Sequence, residues 1–167
     1  GNSEIIITSN LQSKPYVDIT IGCLNQFGIE ICEKSDGYFI KGNQKYQPCK
    51  TVVEGDYSQA AFYFVANSIG NNINISNLKS NSLQGDKKIL EIIQKVRYND
   101  INKLSAFKID ASDIPDIVPI LAVLASFGDG ISEITNVARL RIKESDRLEA
   151  ISACINQIGG NVIAEAD

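Results

Sequence analysis

The 167-residue chain contains no histidine and no methionine, and its four cysteines are widely spaced. Without histidine, the cysteines alone would have to bind zinc, and their spacing does not match a zinc ribbon. We therefore expect no metal site. Two of the cysteines fall among apolar positions, where a free thiol behaves as a small hydrophobic side chain, and we expect reduced structural cysteines in a cytoplasmic protein. Because an initiator methionine is also missing, the sequence predicts a processed or excised piece of a longer protein.

Long hydrophobic runs are absent as well. The longest one, residues 117–127, is well short of the ~18 apolar residues that a membrane-spanning helix needs, and it contains Pro119. The N-terminal stretch GNSEIII has neither the basic start nor the long apolar region of a signal peptide. With 44% hydrophobic and 22% charged residues, the composition is typical of a soluble globular protein without a membrane partner.

Positive charge is in the minority, with a net charge of -4 and a pI of about 4.9. A nucleic-acid surface requires a basic face, so we expect no nucleic-acid partner. One stretch departs from this balance: RLRIKESDRLEA, residues 139–150, holds three arginines and one lysine. Any anion-binding site must therefore be local, and this stretch is the first candidate.

Three stretches resemble one another and indicate a repeated supersecondary unit. They cover residues 5–31, 73–96 and 132–162. Each is a short β-rich piece followed by a polar loop, an aspartate and an apolar pattern of helical period. The β-rich pieces end near Asn10, Asn77 and Asn136, and the aspartates are Asp18, Asp86 and Asp146. The predicted architecture alternates strands and helices and belongs to the α/β (α+β) class.

The helical pattern is clearest in the third copy. There the residues on one face are Leu148, Ile151, Ile155 and Ile158. Gly159 and Gly160 would end this helix. In the first copy Pro15 occupies a plausible first helical position and Gly28 follows the last turn. We expect these amphipathic helices to cover a sheet.

Two further helices are predicted by similar stretches, residues 55–70 and 112–130, in which Gln59 and Asp116 occupy equivalent positions. Before them, residues 35–56 combine turn formers with alternating patterns, which indicates a hairpin and then an extended crossover. We place a domain boundary near Val53 and Glu54. Residues 1–53 would end a first globular domain, and residues 54–167 would form part of a second.

The cationic loop precedes a predicted helix, and helix N-termini favour anions. If Ser145 caps this helix, then Lys143, Glu144 and Arg147 lie close enough for their side chains to converge. Arginine suits a bidentate grip on carboxylate or phosphate, and a glutamate among cations stays ionised and can relay protons. The same loop is equally typical of a solvated helix start with surface salt bridges, so spacing alone leaves both interpretations open.

Two other helix starts carry polar groups. Asp116 precedes an apolar helix, where an aspartate is more typical of a helix cap than of a catalytic group. The stretch SKPY presents Ser13 and Tyr16 at a helix start, which suits phosphate but also suits an ordinary helix start with proline in its first turn. The loop NSLQGD in the second copy indicates only a turn.

Four motifs, SKPYVDIT, VEGDYSQAAF, DIPDIVPILAVLA and RLRIKESDRLEA, occur in this order and closely resemble the 5-enolpyruvylshikimate-3-phosphate synthase family. The resemblance covers the entire chain but only about two-fifths of the family's enzyme. It implies transfer of the enolpyruvyl group of phosphoenolpyruvate to the 5-hydroxyl of shikimate 3-phosphate, with release of phosphate and without a metal or organic cofactor. It also implies two domains made of β-α-β-α-β-β units, an inside-out barrel fold that is incomplete here.

Residue roles follow from this resemblance. Shikimate 3-phosphate contacts carry over onto Ser13, Tyr16, Asp116 and Lys143, and a phosphoenolpyruvate contact carries over onto Arg147. Asp116 would be the base that takes the 5-hydroxyl proton, and Glu144 would assist proton transfer at the methylene carbon of phosphoenolpyruvate. Arg139 stands where some members have an asparagine, and we keep it as a possible substrate contact.

Several of the family's anion ligands fall outside the chain, so we expect little or no turnover from this chain alone. Association through exposed strand edges is a further expectation.

Two alternative interpretations of the function remain. One is the related UDP-N-acetylglucosamine enolpyruvyl transferase, against which SKPYVDIT and KESDR argue. The other is a non-catalytic module of the same fold that complements a separately supplied remainder.

Overall fold

The structure is a computed structural model that describes residues 1–97 and 104–166. Its elements, in chain order, are β1 Ser3–Ile6, α1 Lys14–Gln26, β2 Ile31–Lys34, β3 Gly37–Ile40, α2 Tyr57–Ser68, α3 Ile89–Val96, β4 Leu104–Ser105, β5 Lys108–Asp110, α4 Val118–Ser126, β6 Gly128–Asp129, β7 Glu133–Thr135 and α5 Arg147–Gln157. Short 3₁₀ segments at Gly85–Lys88, Pro115–Ile117 and Ala138–Ile142 precede α3, α4 and α5.

The first sheet is antiparallel, with strand order β1-β3-β2. Strands β2 and β3 form a hairpin in which Lys34 pairs with Gly37, so its first strand lies before the predicted segment of residues 35–56. Gly37 has φ 154°, and a side chain there would collide with the carbonyl oxygen of Ile5 on β1. The close approach of β1 therefore requires glycine at this position. Residues 41–56 contain no regular element, as the predicted crossover requires.

Two parallel strand pairs form the second part, β4 with β6 and β5 with β7. Helix α4 lies between the members of each pair in the chain, so both are strand–helix–strand connections. The strand predicted to end near Asn77 is not found, because residues 71–77 pair with no strand among residues 1–97 and 104–166. Instead, the Asn67 side chain binds the backbone of Ile73 through both its amide nitrogen and its oxygen, at 2.8 and 2.7 Å.

Two structural features occur more than once along the chain. The side chain of Asn156 binds both backbone groups of Val162 at 2.8 and 2.7 Å, which is the same six-residue clasp that Asn67 makes with Ile73. Asn77 and Asn136 share a left-handed backbone, with φ 65° and 60°. The shared backbone of Asn77 and Asn136 supports the predicted equivalence of the second and third copies, whereas Asn67 lies before the second copy and Asn156 lies within the third.

The main core joins α2, α3 and α4 to the third copy. Its most deeply buried large side chains are Ile89, Ile114, Ile117, Leu121, Leu124, Leu140 and Val65. Three expectations about burial were wrong. Helix α1 has no buried residue, and all four cysteines are free and exposed. Ile158 is 86% exposed because α5 ends at Gln157, so this side chain no longer follows the helical face.

In the part of the chain that the structure describes, no helix has the length and apolar character needed to cross a membrane. The same residues contain no group of histidine, cysteine, aspartate and glutamate side chains that could hold a metal ion.

Candidate active site

Three helix starts meet at one place and carry three of the predicted site residues, Ser13, Tyr16 and Asp116. The backbone amide of Ser13 donates to the Ser112 carbonyl at 3.1 Å, and the amide of Lys14 donates to Asp113 Oδ1 at 3.1 Å. Gly85 lies between them, since an added Cβ would come within 2.8 Å of Pro15 Cγ and 2.9 Å of the Asp113 carbonyl oxygen. The starts of α1, of the Gly85–Lys88 segment and of the Pro115–Ile117 segment are therefore packed together without space for a side chain between them.

Asp116 is the centre of this cluster. Its Oδ2 accepts a short hydrogen bond of 2.5 Å from the Tyr16 hydroxyl, and its Oδ1 lies 3.2 Å from Arg147 Nη1. The carboxylate makes no capping hydrogen bond, so it is not a helix cap, although Asp116 does lie in the first turn, where a carboxylate also favours the helix dipole. Burial and the hydrogen bond to Asp116 raise the pKa of the Tyr16 phenol, which keeps it a neutral donor.

Glu144 and Arg147 form an ion pair, as their three-residue spacing predicted. Arg147 Nε and Nη2 lie 2.9 and 2.8 Å from Glu144 Oε1. The backbone amide of Glu144 and the Arg147 guanidinium lower the pKa of the Glu144 carboxyl, so it is ionised at neutral pH. One guanidinium thus links the two predicted catalytic carboxylates, Glu144 and Asp116.

Arg139 and Lys143 line a small pocket together with Ser13, beside Ser112, Pro115 and Asn136. Arg139 Nη1 donates to Ser13 Oγ at 3.3 Å. Ser13 holds φ 58°, a left-handed conformation that is rare for residues other than glycine. Strained backbone of this kind is frequent at functional sites.

The cap of α5 differs from the prediction. Asp146, not Ser145, is the N-cap, and its Oδ1 accepts from the amides of Leu148 and Glu149 at 3.1 Å each. Lys143 lies before the helix, as predicted, and lines the Ser13 pocket. Arg141 binds Asp146 Oδ2 at 3.0 Å. The salt-bridge interpretation of this loop is correct for Arg141, while the anion-site interpretation fits the positions of Arg139 and Lys143.

Sequence reasoning missed Asp86, in the NSLQGD turn. Gln84 fixes this turn against the start of α2: its Oε1 accepts from the Tyr57 amide at 2.7 Å, and its Nε2 donates to the Gly55 carbonyl at 2.9 Å. Asp86 is consequently buried beside Tyr16 and Asp116. Its equivalence to Asp18 and Asp146 in the repeat was the available signal, but the turn lacks the charge cluster that marked the third copy.

A family model described as EPSP synthase (3-phosphoshikimate 1-carboxyvinyltransferase) matches residues 1–167. The chain belongs to this family. Within the EPSP synthase family it is 49% identical to a 3-phosphoshikimate 1-carboxyvinyltransferase of Clostridium acetobutylicum, and 42% identical to one of Methanocaldococcus jannaschii. These matches cover 100% and 99% of this chain but 41% and 42% of the relatives. The chain thus spans about two-fifths of the length of these curated relatives.

A solved structure of EPSP synthase from Acinetobacter baumannii matches the whole chain with a TM-score of 0.80, at 19% identity and over 42% of that protein. At this identity the likeness concerns the fold alone. It confirms the predicted α/β fold of the EPSP synthase family, present here in part.

Proposed function

We propose that this chain forms part of a 3-phosphoshikimate 1-carboxyvinyltransferase and carries one side of its active site. The reaction would transfer the enolpyruvyl group of phosphoenolpyruvate to the 5-hydroxyl of shikimate 3-phosphate and release phosphate. One observation carries the proposal: Asp116 is held between the Tyr16 hydroxyl and the Arg147 guanidinium, and Arg147 also binds Glu144. All four residues lie in the motifs that mark the family.

Asp116 is suited to act as the base. Its two oxygens are each fixed by one neutral or cationic donor, and a carboxylate oxygen retains a further lone pair for a substrate hydroxyl. The carboxylate is partly exposed, so a substrate can reach it. In this role it takes the proton of the 5-hydroxyl as that oxygen attacks the enolpyruvyl group.

Glu144 is suited to proton transfer at carbon. Addition to the double bond of phosphoenolpyruvate delivers a proton to the methylene carbon, and elimination of phosphate later removes one. The Glu144 carboxylate is 68% exposed and paired with Arg147, which can hold both Glu144 and a substrate anion in place. Removing the Glu144 carboxylate would therefore slow the chemical steps more than it weakens binding.

The Ser13 pocket supplies the phosphate subsite of shikimate 3-phosphate in this proposal. A hydroxyl from Ser13 and two cations, Arg139 and Lys143, line one small pocket. Tyr16 follows Ser13 by three residues and binds Asp116, and in this proposal its ring borders the shikimate. The cations offset substrate charge locally, in a chain whose net charge is -4.

The division of residues 1–53 and 54–167 between two globular domains belongs to the same proposal, as do a cytoplasmic location and association through strand edges. The start of α1 hydrogen-bonds to Ser112 and Asp113, so the two parts of the chain share the proposed site. Because the relatives are longer and the site would include groups from their remaining length, we expect the chain alone to have little turnover.

The proposal is tested with a chimaera in which residues 1–167 replace the matching stretch of the Clostridium acetobutylicum relative. We expect phosphate release from phosphoenolpyruvate that depends on shikimate 3-phosphate. In Asp116→Asn, kcat should fall by at least about a hundredfold. Asp129→Asn, in the exposed short strand β6, is the control and should keep activity. A folded chimaera without turnover, or with equal kcat in Asp116→Asn, would contradict the proposal.

A further inference from the structure

Asp86 is a buried carboxylate that the proposed mechanism does not use. Its side chain belongs to a residue only 6% exposed, and its Oδ1 has no hydrogen-bond partner among the described residues. Buried carboxylate oxygens are normally hydrogen-bonded, because leaving one unpaired is costly. Such a group, placed beside a proposed base, needs a physical explanation.

The packing leaves Asp86 little freedom to move. It follows Gly85, where an added Cβ would come within 2.8 Å of Pro15 Cγ and 2.9 Å of the Asp113 carbonyl oxygen, and Gln84, whose Oε1 accepts from the Tyr57 amide at the start of α2. Asp86 therefore stays in the cluster of helix starts around Tyr16 and Asp116. A surface carboxylate would turn towards water, whereas this one is held inside.

The charged groups around Asp86 do not neutralise it. Tyr16 from α1, Asp116 from the segment before α4, and Asp56 from the start of α2 are the groups that act on it. On its own segment Lys87 binds the Ser80 carbonyl, and Lys88 acts on Asp110. Arg147 is held by Glu144 and Asp116. Across the described ranges, Asp86 has no cation as an ion-pair partner.

Burial, and then the negative charges of Asp116 and Asp56, raise the pKa of Asp86 to about 6, while Tyr16 acts in the opposite direction. The Tyr16 hydroxyl has a single hydrogen, and it is donated to Asp116. An ionised Asp86 competes for that hydrogen and repels the Asp116 charge. A protonated Asp86 does neither, and can instead donate its own proton to the Tyr16 oxygen.

We propose that Asp86 is a positioning residue that acts through Tyr16: its ionised form makes Asp116 a stronger base, and its protonated form makes it a weaker one. This inference rests on the proposed function, since it assumes that Asp116 takes a substrate proton. Asp86 does not line the Ser13 pocket, where the substrate phosphate is proposed to bind, and it acts on the basicity of Asp116, so we expect its effect in the chemical step.

The test compares kcat of the chimaera with kcat of its Asp86→Asn variant between pH 5 and 8. The amide is neutral at every pH and resembles the protonated acid. We expect the wild type to be about tenfold faster at pH 8, with the ratio approaching one at pH 5, and KM for shikimate 3-phosphate to change by less than about twofold. The substrate phosphate titrates equally in both proteins, so the ratio of wild-type to variant kcat at each pH does not depend on it.

Glu91→Gln on the exposed face of α3 is the matched control, because it removes one negative charge nearby without touching the cluster. A ratio that is constant with pH would show that Asp86→Asn only damages the structure, and would overturn the proposal. A ratio of one at every pH would overturn it as well.

A second measurement does not depend on turnover. In the 167-residue chain, the carbon-13 shift of the Asp86 carboxyl reports its titration, and Asp116→Asn should lower the pKa of Asp86 because it removes a repelling charge. An unchanged titration would overturn the link. If the chimaera is inactive but this coupling is found, the proposed function fails while the link between Asp86 and Asp116 stands.

Discussion

Single residues in the cationic loop have separate tasks, although they lie within a few positions of one another. Arg141 is bound to Asp146 and to the Glu165 carbonyl, which makes it part of the framework of α5. Arg139 and Lys143 face the Ser13 pocket, and Arg147 joins Asp116 to Glu144. Substituting any one of these cations should therefore have a distinct effect, on stability for Arg141 and on binding or chemistry for the others.

The buried Asp86 predicts an unusual pH dependence of stability. Its pKa in the folded chain is about 6, above the ordinary 3.8, so burial favours the protonated form. The stabilisation is fully present below about pH 4 and is lost as the pH rises through about 6. At pH 8, Asp86→Asn should thus raise the free energy of unfolding relative to wild type, by on the order of 1 to 2 kcal/mol.

Urea unfolding at pH 5 and pH 8 measures this difference, with Glu91→Gln as the control for loss of one negative charge. The gain from Asp86→Asn should be larger at pH 8 than at pH 5. An equal gain at both values, or a loss at pH 8, would be inconsistent with a raised pKa. A variant that is more stable but slower would fit a site where function is kept at the expense of stability.

Among the elements, helix α5 depends on its cap. Asp146 accepts from the Leu148 and Glu149 amides, and the Glu149 amide and Arg141 lower the pKa of its carboxyl. Asp146→Ala should lower the melting temperature by several degrees, because two amides lose their acceptor and Arg141 loses its partner. The Asp146 contribution is present above its unfolded pKa and is lost as the pH falls through its lowered folded pKa.

Ser145→Ala is the matched control, since Ser145 is the neighbouring residue with a cap-forming side chain and makes no capping bond here. Thermal unfolding followed by circular dichroism should show almost no effect for it. If Ser145→Ala destabilises the chain as much as Asp146→Ala, the cap has been assigned to the wrong residue.

Local patterns predicted elements better than they predicted burial. The turn of the hairpin, the stop glycines Gly159 and Gly28 just beyond the ends of α5 and α1, and the Glu144–Arg147 pair all follow from turn residues or helical spacing within a few positions. The exposure of α1 and the missing strand before Asn77 could not be predicted in this way, because burial and strand formation depend on a partner far away in the sequence.

Local patterns also predicted only part of the candidate site, because its residues meet across long separations in the sequence. Asp116 was found only through the family resemblance, because its contacts to Tyr16 and Arg147 are separated by 100 and 31 positions. Asp86 was missed because its significance comes from burial between three helix starts, and an NSLQGD turn alone gives no sign of that. The repeat pattern aligned Asp86 with two other aspartates. This alignment was the sequence feature that came nearest to identifying Asp86 as a site residue.

At the scale of the whole molecule, large apolar side chains remain exposed away from the site. Val53 is 85% exposed and Ile131 is 90% exposed. The chain spans 41% of the Clostridium acetobutylicum relative, so an active enzyme of this family has much more surface available to pack against such residues. Function is therefore best tested in the chimaera, where the remaining length of the relative is present.

The most direct test of the account is a calorimetric titration of the chimaera with shikimate 3-phosphate, in wild type, Lys143→Ala and Lys95→Ala. Lys143 lines the Ser13 pocket, whereas Lys95 is an exposed lysine in the last turn of α3. We predict that Lys143→Ala weakens binding by about tenfold or more and that Lys95→Ala leaves it unchanged. Equal affinity in all three proteins would contradict the claim that this chain holds the substrate phosphate.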